Sequence, residues 1–289
     1  MIVTDKKYSM DDRYVSKLDL MIKRMSGSGT DDNIIIVDGD EGQGKTEFAT
    51  GTCYYVANQT GRTYSPENIY FDLDKIIEFA TRTKDQIIHF DEGALGMLTT
   101  QWWNQNNQKF LQLVMTARKK RHFIIICIPK FYKLNSYLIE ERSIALVNVY
   151  SRKNLQKGRF CYYTKSAKER LYNDWKRTRI KKYQKYHTFH GSFVQAMNKV
   201  FTTEQCEEYE RKKDEAILSL TKDTKVQKES KFKIQRDKLL VLLIRELGLS
   251  TRKAEKLMEK EGIELKKSQI TTLLSPNAHS PPNINIGVS

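Results

Sequence analysis

The residues with the clearest chemical potential form a glycine-rich loop near the N-terminus. Residues 39–46 read GDEGQGKT and match the pattern G-x-x-x-x-G-K-[ST] at every position. Glycines let a backbone wrap closely around phosphates, and a following helix presents free N–H groups to them. In such loops the lysine contacts the β- and γ-phosphates and the next hydroxyl binds Mg²⁺. The pattern therefore predicts ATP and Mg²⁺ as ligands, and a ligand-free glycine turn is the alternative. The predicted contact residues are Gly39, Asp40, Glu41, Gly42, Gln43, Gly44, Lys45, Thr46 and Glu47.

Two adjacent carboxylates follow a second apolar run at residues 87–90. Neighbouring residues at a strand end point in different directions, so the two acids can take separate roles. We assign Asp91 to the metal ion and Glu92 to polarising the attacking water. The alternative is that both acids open a surface turn. His89, inside the run, is expected to be a packed, hydrogen-bonded core residue and not a catalytic one.

Arginines form a third group of candidates. Arg118 and Arg121 end a helical stretch just before an apolar run, and Arg142 precedes the next run. A cation at a helix C-terminus is favoured by the helix dipole alone, which is one interpretation. The other is an arginine finger that reaches the γ-phosphate held by a neighbouring subunit. The sequence does not rank the three residues.

Alternating strands and helices are expected to position these groups. Apolar, largely β-branched runs typical of strands buried on both faces occupy residues 33–38, 86–90, 122–128 and 144–149. Helical stretches lie between them, at residues 46–58, 74–83 and 106–121. This alternation predicts an α/β fold with a doubly wound, mostly parallel sheet. A closing hairpin is expected between residues 144–149 and 159–163.

Composition bounds the partners and the compartment. Lys and Arg number 50 against 35 Asp and Glu, a formal charge of +15 over 289 residues. Such an excess favours a polyanionic partner, although a merely solubilising surface is the alternative. Four scattered cysteines without a CxxC pair indicate neither zinc ligation nor disulfides, and suit a reducing compartment. The absence of a signal-like N-terminus and of a long apolar run predicts a cytoplasmic protein without an integral membrane segment.

The order of these features resembles the FtsK/HerA group of P-loop ATPases, including phage and plasmid members with a zonular-occludens-toxin-like core. The matching segments are GDEGQGKT, IIHFDEG and ARKKRHF running into IIICIP, within residues 33–149. The resemblance implies a RecA-like core, a homo-oligomeric ring of six subunits with ATP between them, and DNA translocation or packaging. Two departures stand out. The polar sensor of that group is replaced by CIPK at residues 127–130, and the membrane segment of zonular-occludens-type proteins is missing.

The C-terminal part is predicted to contain a helix-turn-helix-like unit. Five leucines, Leu239, Leu240, Leu242, Leu243 and Leu247, suit a buried helix face, and Ser250 or Thr251 suits a helix cap. Three short helices with basic residues around the last favour DNA binding, with protein contact as the alternative. The predicted DNA-facing residues are Lys266, Lys267, Ser268, Gln269 and Thr271.

A basic, aromatic-rich stretch at residues 165–185 permits two interpretations. Its rings either stack on bases while its cations neutralise phosphates, or they dock on the protein core beneath long cationic stems. We divide the chain into five parts. They are an N-terminal helix and lead-in (1–32), the P-loop ATPase core (33–164), a charged helical linker (165–233), the helix-turn-helix-like domain (234–275) and a disordered tail (276–289).

Three functions fit these patterns. The leading hypothesis is an ATP-dependent motor of viral or plasmid type that translocates or packages DNA, presumed double-stranded. The second is an ATP-switched DNA-binding regulator or partition-type factor. The third is a small-molecule kinase, which the basic and aromatic second half of the chain disfavours because it shows no lid or acceptor pocket.

Overall fold

The computed structural model describes most of the chain and divides it into two compact units. The units are Met1–Thr221 and Lys222–Ser289. The described residues are 2–3, 8–26, 32–91, 100–117, 119–151, 157–223, 237, 239–242, 244, 246–260, 270–271 and 274.

A seven-stranded sheet forms the centre of the first unit, beside a small antiparallel pair of β1 (Ile2–Val3) and β2 (Ser9–Met10). Its strands are β3 (Asn33–Asp38), β4 (Ile69–Tyr70), β5 (Ile87–Asp91), β6 (Phe123–Ile128), β7 (Ala145–Tyr150), β8 (Arg159–Thr164) and β9 (Phe189–Ser192). Their order is β4-β5-β6-β3-β7-β8-β9. The first five in that order are parallel, whereas β8 and β9 are antiparallel. The predicted mostly parallel sheet and closing hairpin are therefore confirmed.

Burial on both faces explains the isoleucine runs. Every residue of β3 and of β6 is buried. Ile35 and Val37 face one apolar cluster, while Ile34 and Ile36 face the other. A strand with helices on both sides gains from an apolar residue at every position, so it shows no alternation of polar and apolar residues.

Helices cover both faces of this sheet. In the described part of the first unit the α-helices are α1 (Asp12–Ser26), α2 (Lys45–Thr60), α3 (Leu73–Arg82), α4 (Thr100–Thr116), α5 (Lys165–Thr178), α6 (Tyr183–Tyr186), α7 (Met197–Val200) and α8 (Thr203–Asp223), the last of which ends just past the boundary; the second unit contains α9 (Thr251–Lys260). Side chains of α1, α2, α7 and α8 join the cluster on one face, and those of α3, α4 and α5 join the cluster on the other. The predicted doubly wound α/β fold is confirmed.

The basic, aromatic-rich stretch docks its rings on the core. Tyr172 is only 6% exposed, and Trp175 stacks on Tyr132 with a centroid distance of 4.8 Å. Lys176 lies over the Tyr172 ring and Arg179 over the Trp175 ring, at 4.4 and 4.8 Å. The rings of Tyr172 and Trp175 are thus occupied by protein contacts, which supports docking over base stacking for them.

The second unit has a small core of its own. Ile244, Ala254, Met258 and Ile270 are buried together. Ser250 Oγ accepts a hydrogen bond from the Lys253 N–H at 3.4 Å, so the predicted cap at the start of α9 is confirmed.

The predicted buried face of leucines in the second unit is right for Leu240 and wrong for three others. Leu239, Leu242 and Leu247 are 60%, 57% and 65% exposed, and Leu243 lies outside the described residues. Leu240 packs against the core together with Ile244, since residues four apart share one side of a helix. Because leucines lie on several sides of this helix, the sequence alone does not show which side faces the core. Among the described residues, no helix has both the length and the apolarity to cross a membrane.

Candidate nucleotide-binding site

Parallel strands bring the glycine-rich loop and the acidic strand end to one edge of the sheet. The loop follows β3, and Asp91 ends β5, with β6 between the two strands. Two strand spacings separate β3 from β5 by about 10 Å. Helix α2 starts at Lys45 and bridges this gap, so that Thr46 Oγ1 donates a hydrogen bond to Asp91 Oδ2 at 2.8 Å.

Glycine is required where the loop leaves β3. Gly39 has φ +151°, and a Cβ atom there would lie 2.3 Å from the carbonyl oxygen of Val149. Gly44, the N-cap of α2, has φ +96°, a conformation that side chains with a Cβ disfavour. The loop therefore approaches β7 closely and turns directly into the helix, which leaves the first N–H groups of α2 at its mouth.

Substituting alanine in the loop tests this close approach. Gly39→Ala is expected to lower the free energy of unfolding by at least about 2 kcal/mol, because it combines backbone strain with a clash against Val149. Gly42→Ala is the matched control: its φ is +73° but a Cβ would meet nothing within 4 Å, so we expect a loss of about 1 kcal/mol. Urea unfolding measures both. Equal losses of unfolding free energy in the two variants would show that the clash with Val149 adds nothing to the cost of Gly39→Ala.

Lys45 lies in the centre of the loop. The residue is 8% exposed, and Nζ donates to the carbonyl oxygens of Gly39 at 2.7 Å and Asp40 at 2.9 Å. Nearby, Gln43 Oε1 is buried and has no hydrogen-bond partner. Buried polar atoms are usually paired, so an unpaired one in a loop of this shape is suited to contact a ligand. A buried ammonium with helical N–H groups beside it has the chemistry of a phosphate site.

Asp91 is fully buried and holds two hydroxyl groups. Its Oδ2 accepts hydrogen bonds from Thr46 Oγ1 and, at 2.9 Å, from the phenol of Tyr209 on α8. Burial, together with the charge of Asp91, raises the pKa of Tyr209, which therefore stays protonated and donates. A carboxylate next to a hydroxyl offers the oxygen ligands that Mg²⁺ prefers. Asp91 and Thr46 thus fit the predicted metal site.

The residues behind Asp91 are packed and neutral. His89 is fully buried, its Nδ1 lies 2.8 Å from the Tyr64 hydroxyl, and its Nε2 lies 3.6 Å from Cys127 Sγ. Burial lowers the pKa of His89 to about 4, so the imidazole is uncharged near neutral pH. The expectation of a hydrogen-bonded core histidine is confirmed.

Three acidic residues within or next to the loop differ in their contacts. The side chains of Asp40 and Glu41 are exposed. Glu47 Oε2 accepts hydrogen bonds from the backbone N–H groups of Ala196 and Met197, both at 2.8 Å. Glu47 therefore caps the start of α7 and fastens it to α2, a structural role that the motif alone does not reveal.

Two of the three candidate arginines form ion pairs at the opposite edge of the sheet. Arg121 Nη2 lies 2.7 Å from Asp85, just before β5. Arg142 Nη2 lies 2.8 Å from Asp32, just before β3, and also donates to Val114 O at 3.1 Å. Both are roughly 20 Å along the strands from the loop of the same chain. Arg118 lies outside the described residues, as does Glu92.

A cavity of about 610 Å³ adjoins the loop on the side of β7. Asp38, Gly39 and Gln43 form one wall, and the segment of residues 181–185 before and within α6 forms another. Burial raises the pKa of Asp38, although hydrogen bonds from the Tyr183 hydroxyl and the Phe131 N–H oppose the shift. The volume is in the range of small-molecule sites, and lysines at its rim give it positive charge.

Of the predicted DNA-facing residues, Thr271 is helical and exposed. It follows Ile270, which is buried in the core of the second unit. Lys266, Lys267, Ser268 and Gln269 lie outside the part of the chain that the structure describes.

Comparisons with known proteins give little beyond this geometry. No protein-family model matches the chain, and no curated protein matches it. The solved structures that match include one described as "Replication initiator DnaA bound to AMPPCP and single-stranded DNA". It is 13% identical with a TM-score of 0.30, over 95% of this chain and 78% of that one. A TM-score of this size does not show a common fold. The α/β architecture with its seven-stranded, mostly parallel sheet is consistent with the predicted RecA-like P-loop core.

Proposed function

We propose that this chain hydrolyses ATP with Mg²⁺ and acts on DNA as a translocating or packaging motor of viral or plasmid type. The observation that carries the proposal is the hydrogen bond of 2.8 Å between Thr46 and Asp91, beside a buried Lys45. It joins the two halves of a magnesium–triphosphate site that are 45 residues apart in the chain. The fold alone would not support a function, so the proposal rests on this group of side chains.

Each residue of the group has a proposed role in ATP binding. Lys45 exchanges its contacts with loop carbonyls for contacts with the β- and γ-phosphates, and the N–H groups of the loop bind the same oxygens. Thr46 and Asp91 hold Mg²⁺, which neutralises charge on the phosphates when bound. Glu92 orients the attacking water. One of Arg118, Arg121 and Arg142 is the arginine finger, acting on the site of a neighbouring subunit.

Charge and domain organisation support DNA as the partner. The formal charge of +15 attracts phosphates, and a separate compact unit follows Thr221. We propose that this unit contacts duplex DNA through residues 266–269 and Thr271. The resemblance to FtsK/HerA-type ATPases supports a hexameric ring in the cytoplasm, of the host if the protein is viral.

An ATP-switched DNA-binding regulator is the second candidate. The observation in its favour is the separation of the chain into a nucleotide-site unit and a second unit with its own core. In that case ATP would control assembly, the second unit would find a DNA site, and hydrolysis would be slow.

ATP turnover with and without duplex DNA tests the motor, using the full chain and a chain ending at residue 223. For a motor, we expect duplex DNA to raise turnover at least about tenfold in both chains, with a stimulation that weakens as salt rises. A regulator would show slow turnover and would lose sequence-specific binding in the shorter chain. Turnover that DNA does not change in either chain would contradict the motor, and electron microscopy with a non-hydrolysable ATP analogue checks the ring.

A further inference from the structure

We propose that Cys161, His187 and His190 form a zinc-binding site. One ligand atom from each of the three residues lies within 4.8 Å of the others. Thiolate and imidazole are the ligands that Zn²⁺ most often takes in proteins, and three of them leave a fourth position for water. The site is separate from the glycine-rich loop and does not depend on ATP hydrolysis.

The β8–β9 pairing places two of the ligands directly opposite each other. Cys161 on β8 and His190 on β9 are register partners, and Cys161 Sγ lies 3.3 Å from His190 Nδ1. In a tetrahedral site with usual bond lengths, a sulfur and a nitrogen ligand are about 3.6 Å apart. The backbone therefore already holds these two atoms at nearly the separation that zinc needs.

His187 is oriented by a backbone contact. Its Nδ1 lies 2.9 Å from the carbonyl oxygen of Gln184, and its ring centroid lies 3.8 Å from that of His190. Zinc-binding histidines usually donate one ring N–H to a carbonyl or carboxylate, which fixes the tautomer and leaves the other nitrogen for the metal. With Nδ1–H donating to Gln184, Nε2 of His187 is the nitrogen that would bind zinc.

The local chemistry allows a balanced binding step. The S–H bond of Cys161 breaks in this step, because Zn²⁺ takes cysteine as the thiolate. Zinc binding forms one Zn–S bond and releases that proton to solvent. The Arg13 guanidinium, which donates to the His190 carbonyl oxygen, is paired with Asp11 at 3.0 Å.

A bound zinc would fasten the sheet edge to the wall of the cavity beside the loop. Gln184 Nε2 lies 3.5 Å from Cys161 Sγ, and Gln184 and Tyr150 both line that cavity. Tyr183, next in the chain, donates to Asp38 at the end of β3. The structure thus assigns zinc a stabilising role for residues 183–190, with the ion near the nucleotide site but not in it.

Metal content and Co²⁺ spectroscopy of the full chain test the site. We expect one equivalent of zinc per chain and, on replacement with Co²⁺, the charge-transfer band of a Co²⁺–thiolate bond. Saturating zinc is expected to raise Tm by about 5 °C. Cys161→Ser should remove the band, and His187→Gln should weaken zinc affinity at least about tenfold. His187 is only half-buried, whereas Cys161 is buried, so the second variant remains informative if the first fails to fold.

Cys206→Ser is the matched control, because Cys206 on α8 packs against the apolar cluster on one face of the sheet, whereas Cys161 belongs to the cluster on the other face. It should keep the band, the zinc content and the shift of Tm. Absence of the band in the folded natural chain, or its loss in Cys206→Ser with retention in Cys161→Ser, would overturn the proposal.

Discussion

Replacing Lys45 with alanine is expected to abolish ATP turnover, lowering it at least about 100-fold and weakening ATP binding beyond detection by calorimetry. The reason is the position of Lys45, a buried residue whose ammonium lies within 2.9 Å of two loop carbonyls. A triphosphate in the loop would meet this cation first. Without this charge, the loop carbonyl oxygens would face the negative phosphates with no cation between them.

Two further variants make the Lys45 result specific. Lys75→Ala removes an exposed lysine from α3 and should leave binding and turnover unchanged. Lys45→Arg keeps the charge but enlarges a buried side chain, so it is expected to bind ATP weakly and turn it over slowly. Undiminished ATP binding in Lys45→Ala would rule out the loop as a nucleotide site, and with it both the motor and the regulator.

Replacing Asp91 with asparagine is expected to separate nucleotide binding from magnesium use. The amide keeps the shape and an oxygen acceptor for Thr46 and Tyr209, but it loses the negative charge that holds the ion. We expect turnover to fall at least about 100-fold and the Mg²⁺ concentration for half-maximal turnover to rise about tenfold. ATP binding without Mg²⁺ should change little. Turnover measured across a magnesium titration, with calorimetry in chelator, gives both quantities.

Asp74→Asn is the control for Asp91. Asp74 is a 65% exposed carboxylate on α3 that pairs with Lys109, so its neutralisation should leave the magnesium titration unchanged. If Asp91→Asn showed a normal magnesium titration as well, the metal would have to be held elsewhere in the chain.

The fold and the centre of the site were predictable because the determining patterns are local. Isoleucine runs at β3 and β6 indicate strands buried on both faces, and GDEGQGKT carries its own conformational requirements in its glycines. Asp91 was predictable because an acidic residue at the end of a buried strand is a strong signal beside such a loop. Parallel pairing then brings the two together without further information.

Contacts between distant segments were not predictable. Tyr209 is 118 residues from Asp91, and it lies in a helix whose charged sequence suggests a solvated surface. Glu47 appears as a motif neighbour, yet it caps α7 about 150 residues later. The proposed zinc site is likewise not predictable, because Cys161 has no CxxC partner in the sequence. The weak signal was the HTFH spacing of His187 and His190, which gains meaning only once β8 and β9 are paired.

The hydrogen bond from Tyr209 has a mechanical consequence. Asp91 Oδ2 accepts two hydroxyl groups, which fills the two lone pairs of that oxygen. A cation that binds Asp91 through this oxygen would compete with the Thr46 and Tyr209 hydroxyl groups. Displacement of the Tyr209 hydroxyl would remove the hydrogen bond between Asp91 and α8. This helix ends at Asp223, at the start of the second unit. Loss of the Tyr209 hydrogen bond would therefore accompany the binding of a cation at Asp91 through this oxygen.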